Sequence, residues 1–344
     1  LIQEKDVLII GGGISGITVA LELAQAGIPS TLIERDTSLG GLSASFCCKA
    51  SESCNKCFAC VVDKKISEIH QNCDISILTQ TEVTSVKGNG GRHQVSLKRR
   101  KERFDLKASA VVIAAGINPF DASQKVEYGY GRYKNVITAK DLDEMLRFRG
   151  DLSRPSDGKI PKNVAFFQCV GSRDESIGNL YCSQVCCAYA LRLIKTIRYQ
   201  YPDVKATFLY MDIQPAGVSF QQFLNSCRED SGIHLIRSLP SKVYYSPASD
   251  HLTVRFIDPQ KGEVVEESFD LIVLSVGMVL KKEAKPLVHL FDLSLTEDGF
   301  IASPPPQTGI FVAGACSGPK DIDRSIIHAK STALHIYQYL KGRS

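Results

Sequence analysis

An apolar tetrapeptide that runs into a glycine cluster constrains this chain more than any other feature. Val7-Leu8-Ile9-Ile10 is followed by Gly11-Gly12-Gly13-Ile14-Ser15-Gly16, and an amphipathic stretch continues to Ala26. Gly27 stops it, and a second run from Pro29 to Ile33 ends on Glu34-Arg35. The pattern reads as strand, tight turn, helix, strand. Within it, G-x-G-x-x-G falls on Gly11, Gly13 and Gly16. Gly11 permits the turn, Gly13 lets the backbone approach a pyrophosphate, and Gly16 permits close packing of helix on strand. The helix start, with Ile14 and Ser15, then faces the phosphate charge. Glu34, followed by Arg35, closes the second strand where a carboxylate accepts hydrogen bonds from ribose hydroxyls.

Three further glycine loops argue for FAD rather than NAD. Gly40-Gly41 comes soon after Glu34, where the chain must pass close to the cofactor. Ala114-Ala115-Gly116 ends a buried strand, and Gly309-Ile310-Phe311-Val312-Ala313-Gly314 gives the third such loop. Together these glycines resemble the two-dinucleotide-domain flavoprotein pattern of disulfide reductases. One departure stands out. That pattern places an Asp after the last Gly, whereas this chain has Ala315-Cys316. Asp321, beside Ile322, or Asp323 is expected to take over polar contacts there. A final helix is expected from about Ser325, its N-terminus toward the flavin ring.

The expected architecture is α/β. Residues 1–120 and 276–344 form a flavin domain, with a cysteine-rich insert at 46–60, and residues 121–275 form an inserted smaller α/β domain. With 344 residues, 44% of them hydrophobic, a sizeable core is available. A tight turn is expected at Gly88-Asn89-Gly90-Gly91, and a helix from about Ser183 to Tyr199. The net charge of +4 includes one short run, Lys98-Arg99-Arg100-Lys101, without interleaved aromatics. It reads as a solvated hairpin tip, not a nucleic-acid surface. No apolar stretch approaches the roughly 20 residues of a spanning helix. No signal peptide is visible, so a cytoplasmic location is expected.

Twelve cysteines are the unusual count. Dense cysteines in a cytosolic chain point to metal or redox chemistry. Cys54, Cys57 and Cys60 give C-x-x-C-x-x-C, a spacing that lets three thiolates reach one iron–sulfur cluster. Cys48 is preferred as the fourth ligand over Cys47 and Cys73. Structural zinc and a redox dithiol remain open for the same residues. The dithiol reading is motivated by Cys47-Cys48, which follows Gly40-Gly41 at about the distance of a flavin-facing disulfide. Adjacent cysteines pair only with strain. The second group, Cys169, Cys182, Cys186 and Cys187, spaces as C-x12-C-x3-C-C. Neighbouring helical positions point about 100° apart, so the last two share one cluster only with local bending.

Phe167-Gln168-Cys169-Val170-Gly171-Ser172-Arg173 and Tyr181-Cys182-Ser183-Gln184-Val185-Cys186-Cys187-Ala188-Tyr189-Ala190 closely resemble the flavin-binding A subunit of heterodisulfide reductase. So do Tyr210-Met211-Asp212-Ile213 and Gly314 through Ile322. The likeness covers nearly the whole chain. It implies that Cys169, Cys182, Cys186 and Cys187 bind a [4Fe-4S] cluster. The chain's length and its Cys47-Cys48-Lys49-Ala50 segment look more like the short A subunit of the heterodisulfide-reductase-like complex of sulfur oxidisers. The quinone-modifying oxidoreductase of sulfate reducers is similar too. The resemblance implies a cytoplasmic multisubunit complex that moves electrons between a sulfur substrate and a carrier such as NAD. A homodimer is compatible with it.

A disulfide reductase would carry a second G-x-G-x-x-G at the start of the inserted domain. After Val164 to Gln168 this chain has Cys169-Val170-Gly171-Ser172-Arg173 instead. A protein donor or acceptor is therefore expected before direct NAD binding. Three functions compete: an electron-transfer subunit with FAD and one or two clusters, a stand-alone FAD-dependent disulfide or NAD(P)H oxidoreductase, and a cofactor-bearing scaffold. His70, His234 and His328 sit in no catalytic spacing and read as structural or surface residues.

Overall fold

The computed structural model describes residues 7–88, 93–214 and 218–342. The chain divides into two compact units. The first comprises residues 1–44, 58–118 and 279–344, and the second residues 45–57 and 119–278.

In the first unit the strand Val7–Ile10 is buried at all four positions. It lies at the centre of a five-stranded sheet, between Ser30–Ile33 and Ala110–Ile113, with Ile75–Leu78 and Ile310–Val312 at the edges. Every pairing is parallel. Parallel strands covered on both faces must be apolar on both faces, which is why V-L-I-I and A-V-V-I show no alternation. Helix Ile14–Gln25 returns the chain from the first strand to the second and packs on helix Ile322–Lys341. An antiparallel three-stranded sheet, Thr81–Lys87, His93–Arg99 and Glu102–Ala108, precedes the strand at 110. Lys98 to Lys101 form its hairpin end, with Arg100 at φ 56°. The strand Glu102–Ala108 escapes sequence reading because only Phe104, Leu106 and Ala108 mark its inner face. The expected turn at 88–91 lies, apart from Gly88, outside the described residues.

The second unit repeats the plan. Asn163–Val170 is the central strand of a parallel sheet, between Lys205–Leu209 and Leu271–Val276, with Ile233–Ile236 and Val136–Thr138 outside them. Helices Cys186–Gln200 and Val218–Glu229 make the crossovers, and an antiparallel sheet of Lys242–Ser246, His251–Ile257 and Val264–Phe269 follows. Phe166 and Phe167 are fully buried on opposite faces of the central strand. Each contributes roughly 1.5–3 kcal/mol by leaving water. Thr138 caps helix Ala139–Phe148 in a capping box with Asp141.

Of the cysteine-rich insert expected at 46–60 in the flavin domain, the residues up to 57 group with the second unit and the rest with the first. A buried carboxylate holds the former in place. Asp143 is 0% exposed and Lys49 is 2% exposed, and Lys49 Nζ lies 2.6 Å from Asp143 Oδ2. The Cys47 backbone N–H donates to Asp143 Oδ1 at 2.6 Å, and the Tyr189 hydroxyl donates to Oδ2 at 2.6 Å. Lys49 also stands over the rings of Phe46 and Tyr189. Desolvating two charges is costly, so the pair contributes little net stability while whole, but removing one partner leaves the other uncompensated. Lys49→Met is therefore expected to lower stability by about 3–5 kcal/mol. A urea midpoint shift at unchanged slope measures this. A loss below about 1 kcal/mol would show that other contacts hold the segment.

Candidate functional site

The first site is built where the central strand of the first unit ends. Gly11 has φ 112°, and a Cβ there would stand 2.3 Å from Ala114 O. At Gly16 a Cβ would lie 1.9 Å from Gly11 O, so the helix approaches the strand end only because both residues lack side chains. Gly13 differs. A Cβ there would meet nothing within 4 Å, which leaves open space over the helix start. Gly13 is also the helix N-cap and supplies no side-chain acceptor to the first N–H groups. Free donors, open space and a helix dipole fit a dinucleotide pyrophosphate beside Ile14 and Ser15.

The other expected glycines border this loop. Gly40 N donates to Gly12 O at 2.8 Å, and Gly41 would place a Cβ 3.3 Å from Gly13 Cα. At Gly314 a Cβ would fall 1.9 Å from Ser15 Oγ. Glu34 accepts from Gly12 N at 2.6 Å and from Asp36 N at 2.9 Å, and its remaining lone pairs stay available to a ribose. Arg35 is paired loosely with Asp36. Ala115 and Gly116 follow the strand end, and Gly116 adopts φ 71°.

The loop lacking the expected aspartate is closed in another way. Cys316 is fully buried and its thiol donates to Ile113 O and Ala313 O. The last helix begins at Ile322, three residues earlier than expected, because Asp321 caps it by accepting from Arg324 N at 2.8 Å. That carboxylate is thus committed first to the helix. The Gly314 N–H donates to His328 Nδ1 at 2.9 Å, a structural role that sequence spacing did not reveal.

The second site lies at the equivalent place in the second unit, after its central strand. Cys169, Cys182, Cys186 and Cys187 all line one solvent-open recess, with Ser172, Arg173 and Asp212 at its wall. A shift in strand register between Phe167 and Val170 places Cys169 in the left-handed region at φ 59°. Arg173 and Gln184 are also left-handed, at φ 54° and 60°. Strain of this kind costs about 1–3 kcal/mol per residue and gathers at functional sites. Helix Cys186–Gln200 starts at Cys186, not at Ser183. Its first two residues are therefore the adjacent cysteines, in a turn whose N–H groups have no side-chain cap. Gln184 N donates to Cys182 Sγ at 3.3 Å.

The thiols here suit a metal centre better than a dithiol. Burial pushes Cys169 up to about 12 and raises Cys186 and Cys187 as well, with neighbouring cysteines adding to all three. Reactive cysteines need the opposite shift, whereas coordination to a metal supplies the positive charge that deprotonates a thiol outright. The Ser172 hydroxyl adds a second indication. It is 1% exposed, lines the recess and has no hydrogen-bond partner among the described residues. A buried donor of this kind fits a ligand with acceptor atoms. Gly171 is needed for packing, since a Cβ there would collide with the Phe120 ring.

The first cysteine group is divided between the two units. Cys48, Cys54 and Cys57 lie in the segment of the second unit, while Cys60 sits in the first turn of helix Ala59–His70 of the first unit. Cys48, Cys54 and Cys60 are exposed. Among the described residues, in the second cysteine group as in the first, no three or more His, Cys, Asp or Glu side chains converge to hold a single metal ion. Cys47 is buried, with its thiol pushed up to about 12 by burial and then by Asp143, which makes it a poor nucleophile. No helix among the described residues is long and apolar enough to cross a membrane.

Two parallel sheets, each with its loops at the carboxyl ends of the strands, define a two-dinucleotide-binding-domain flavoprotein fold. The chain belongs to the pyridine nucleotide-disulphide oxidoreductase family, which it matches over residues 5–333. Thioredoxin reductase from T. acidophilum superposes with a TM-score of 0.64 at 15% identity, covering 99% of this chain and 100% of that one. The Lactococcus lactis thioredoxin reductase gives 0.61 at 19% identity, covering 98% and 99%. In sequence the chain is homologous to the heterodisulfide reductase A subunits of methanogens. An iron–sulfur A subunit of CoB–CoM heterodisulfide reductase from Methanopyrus kandleri is 31% identical over 95% of this chain and 63% of its own length. The A subunit of the ferredoxin:CoB-CoM heterodisulfide reductase from Methanosarcina mazei is 30% identical over 98% and 53%. The chain thus spans between about half and two thirds of the length of these relatives. The alignments run over 414 and 426 positions against 344 residues, so the relatives also carry inserted residues that this chain lacks.

His328 makes the loop at Gly314 sensitive to acid. Burial, then the charges of Lys320 and His335, hold its imidazole below the ordinary 6.5. The unfolded chain takes up that proton near 6.5, and the folded chain only at lower pH. The contribution to stability is therefore full above about 6.5 and lost as pH falls through the folded value. Urea midpoints measured from about pH 7 to pH 5 are expected to fall more steeply in the wild type than in His328→Gln. Parallel profiles would show that the ring is not linked to folding.

Proposed function

We propose that this chain is an FAD- and iron–sulfur-containing electron-transfer subunit of a heterodisulfide-reductase-like complex, passing electrons between flavin, a [4Fe-4S] cluster and a partner protein or carrier. The observation that carries the reading is the recess with four cysteines and the unpartnered Ser172 hydroxyl. It occupies the strand-end position where a nicotinamide dinucleotide would bind in a sheet of this kind. The near-complete coverage of this chain by heterodisulfide reductase A subunits supports the same reading. A four-iron cluster does not ask four thiolates to converge on one ion, because each binds a separate iron of the cube. Cys169, Cys182, Cys186 and Cys187 would hold it, and the N–H groups of the helix start would stabilise its negative charge. When bound, the cluster supplies one-electron capacity. FAD would lie along Gly11, Gly13, Glu34 and Gly41, with Gly116 and Gly314 bordering it. The Cys47-Cys48-Lys49-Ala50 segment favours the sulfur-oxidiser type of complex, acting in the cytoplasm.

Protein purified without oxygen is expected to be brown and to contain FAD, iron and labile sulfide. Cys186→Ser is expected to lose the cluster and keep FAD, as read from iron content and the electron paramagnetic resonance signal after reduction. Cys57→Ser is expected to keep that same cluster, and any further loss of iron in it reveals a second one. Full iron content in Cys186→Ser would refute the assignment.

The family match favours a second reading, a stand-alone disulfide or NAD(P)H oxidoreductase. Stopped-flow mixing with NADH or NADPH separates the two. No rapid flavin reduction is expected, and fast reduction by iron-free protein would establish the alternative.

A further inference from the structure

We propose that the Arg173–Asp212 ion pair sets the electron affinity of the redox centre in the second unit, Arg173 favouring the reduced state and Asp212 opposing it. This rests on the cluster reading given above. Arg173 and Asp212 line the same recess as Cys169, Cys182, Cys186 and Cys187. The guanidinium grips the carboxylate with two nitrogens, Nη1 on Oδ1 and Nη2 on Oδ2, the latter at 3.1 Å. Such a fork fixes both groups in place.

Both residues are mounted on the chain that carries the thiols. Arg173 sits four positions after Cys169, in a left-handed conformation, and its N–H donates to Tyr181 O, beside Cys182. Asp212 O lies 3.8 Å from Cys187 Sγ. Gln214 holds the Asp212 carboxylate from the other side, Nε2 to Oδ1 at 3.1 Å.

The two charges do not cancel in the recess. The Arg173 side chain is 26% exposed and that of Asp212 is 42% exposed. The guanidinium outweighs the carboxylate at Cys169 and the carboxylate outweighs the guanidinium at Cys187, so each charge acts on the recess in its own right. Arg stays charged at every accessible pH, so its contribution is permanent. Reduction adds one electron and one negative charge to the recess, with no bond made or broken. Net charge near a cluster is a main determinant of its potential. Neither residue is a catalytic residue in this scheme. Both act through the centre they face.

The test is a redox titration of holoprotein purified without oxygen, with dithionite as electron donor and the paramagnetic resonance signal of the reduced centre as readout. Arg173→Gln is expected to shift the midpoint to more negative potential and Asp212→Asn to more positive potential, at equal iron content. Arg173→Lys keeps the charge without the fork and is expected to stay near the wild type. A purely structural pair predicts shifts of the same sign in Arg173→Gln and Asp212→Asn, because each breaks the same contact. That outcome, or unmoved potentials, overturns the proposal. If Arg173→Gln fails to assemble, Asp212→Asn carries the test, and a negative or absent shift there overturns it. Wild-type protein without iron or labile sulfide overturns the cluster reading and this inference together. Iron present with potentials unmoved overturns this inference alone.

Discussion

Everything functional in this chain depends on one topological constraint. A parallel sheet whose chain leaves the central strand in one direction and later fills the other side must leave that strand's carboxyl end uncovered. The central strands Val7–Ile10 and Asn163–Val170 both end in such a gap. The gap is a place where backbone N–H groups and helix starts collect with nothing of their own to satisfy them. What differs is the residue chemistry that the two loops bring to it.

In the first unit the connection from strand to helix is as short as it can be, and glycine makes it possible. Gly11 and Gly16 touch backbone where any Cβ would clash, so their lack of a side chain serves packing. A Cβ at Gly13 would touch nothing, so its lack of a side chain leaves room for a ligand. In the second unit the same connection runs from Val170 to Cys186, and the added length carries cysteines, a buried serine and an arginine. The register shift before Val170 and the left-handed residues Cys169, Arg173 and Gln184 are the local cost of turning those side chains to one recess.

The segment at residues 45–57 shows how one buried carboxylate can decide where a stretch of chain belongs. Asp143 satisfies a buried backbone N–H, a buried ammonium and a part-buried phenol at once. None of these groups could be left alone in the interior without a large penalty. The adjacent Cys47 is buried by the same arrangement, which removes it from thiol chemistry and leaves Cys48 exposed.

The sequence by itself determined the first parallel unit, because unbroken apolar runs, a G-x-G-x-x-G turn and a terminal Glu34 have few other solutions. It also marked the four cysteines of the second group, although their odd spacing and adjacent pair gave no geometric reason to bring them together. Tertiary structure supplied that reason through a helix that starts only at Cys186 and a bulge at Cys169. It decided as well that Cys60 falls in a different unit from Cys54 and Cys57, which an even C-x-x-C-x-x-C rhythm conceals. Lys49 with Asp143, Gly314 with His328, and Arg173 with Asp212 pair residues between 14 and 94 positions apart. Local pattern carries no trace of such partners, because the free energy that selects them comes from desolvation in a core that exists only once the chain has folded.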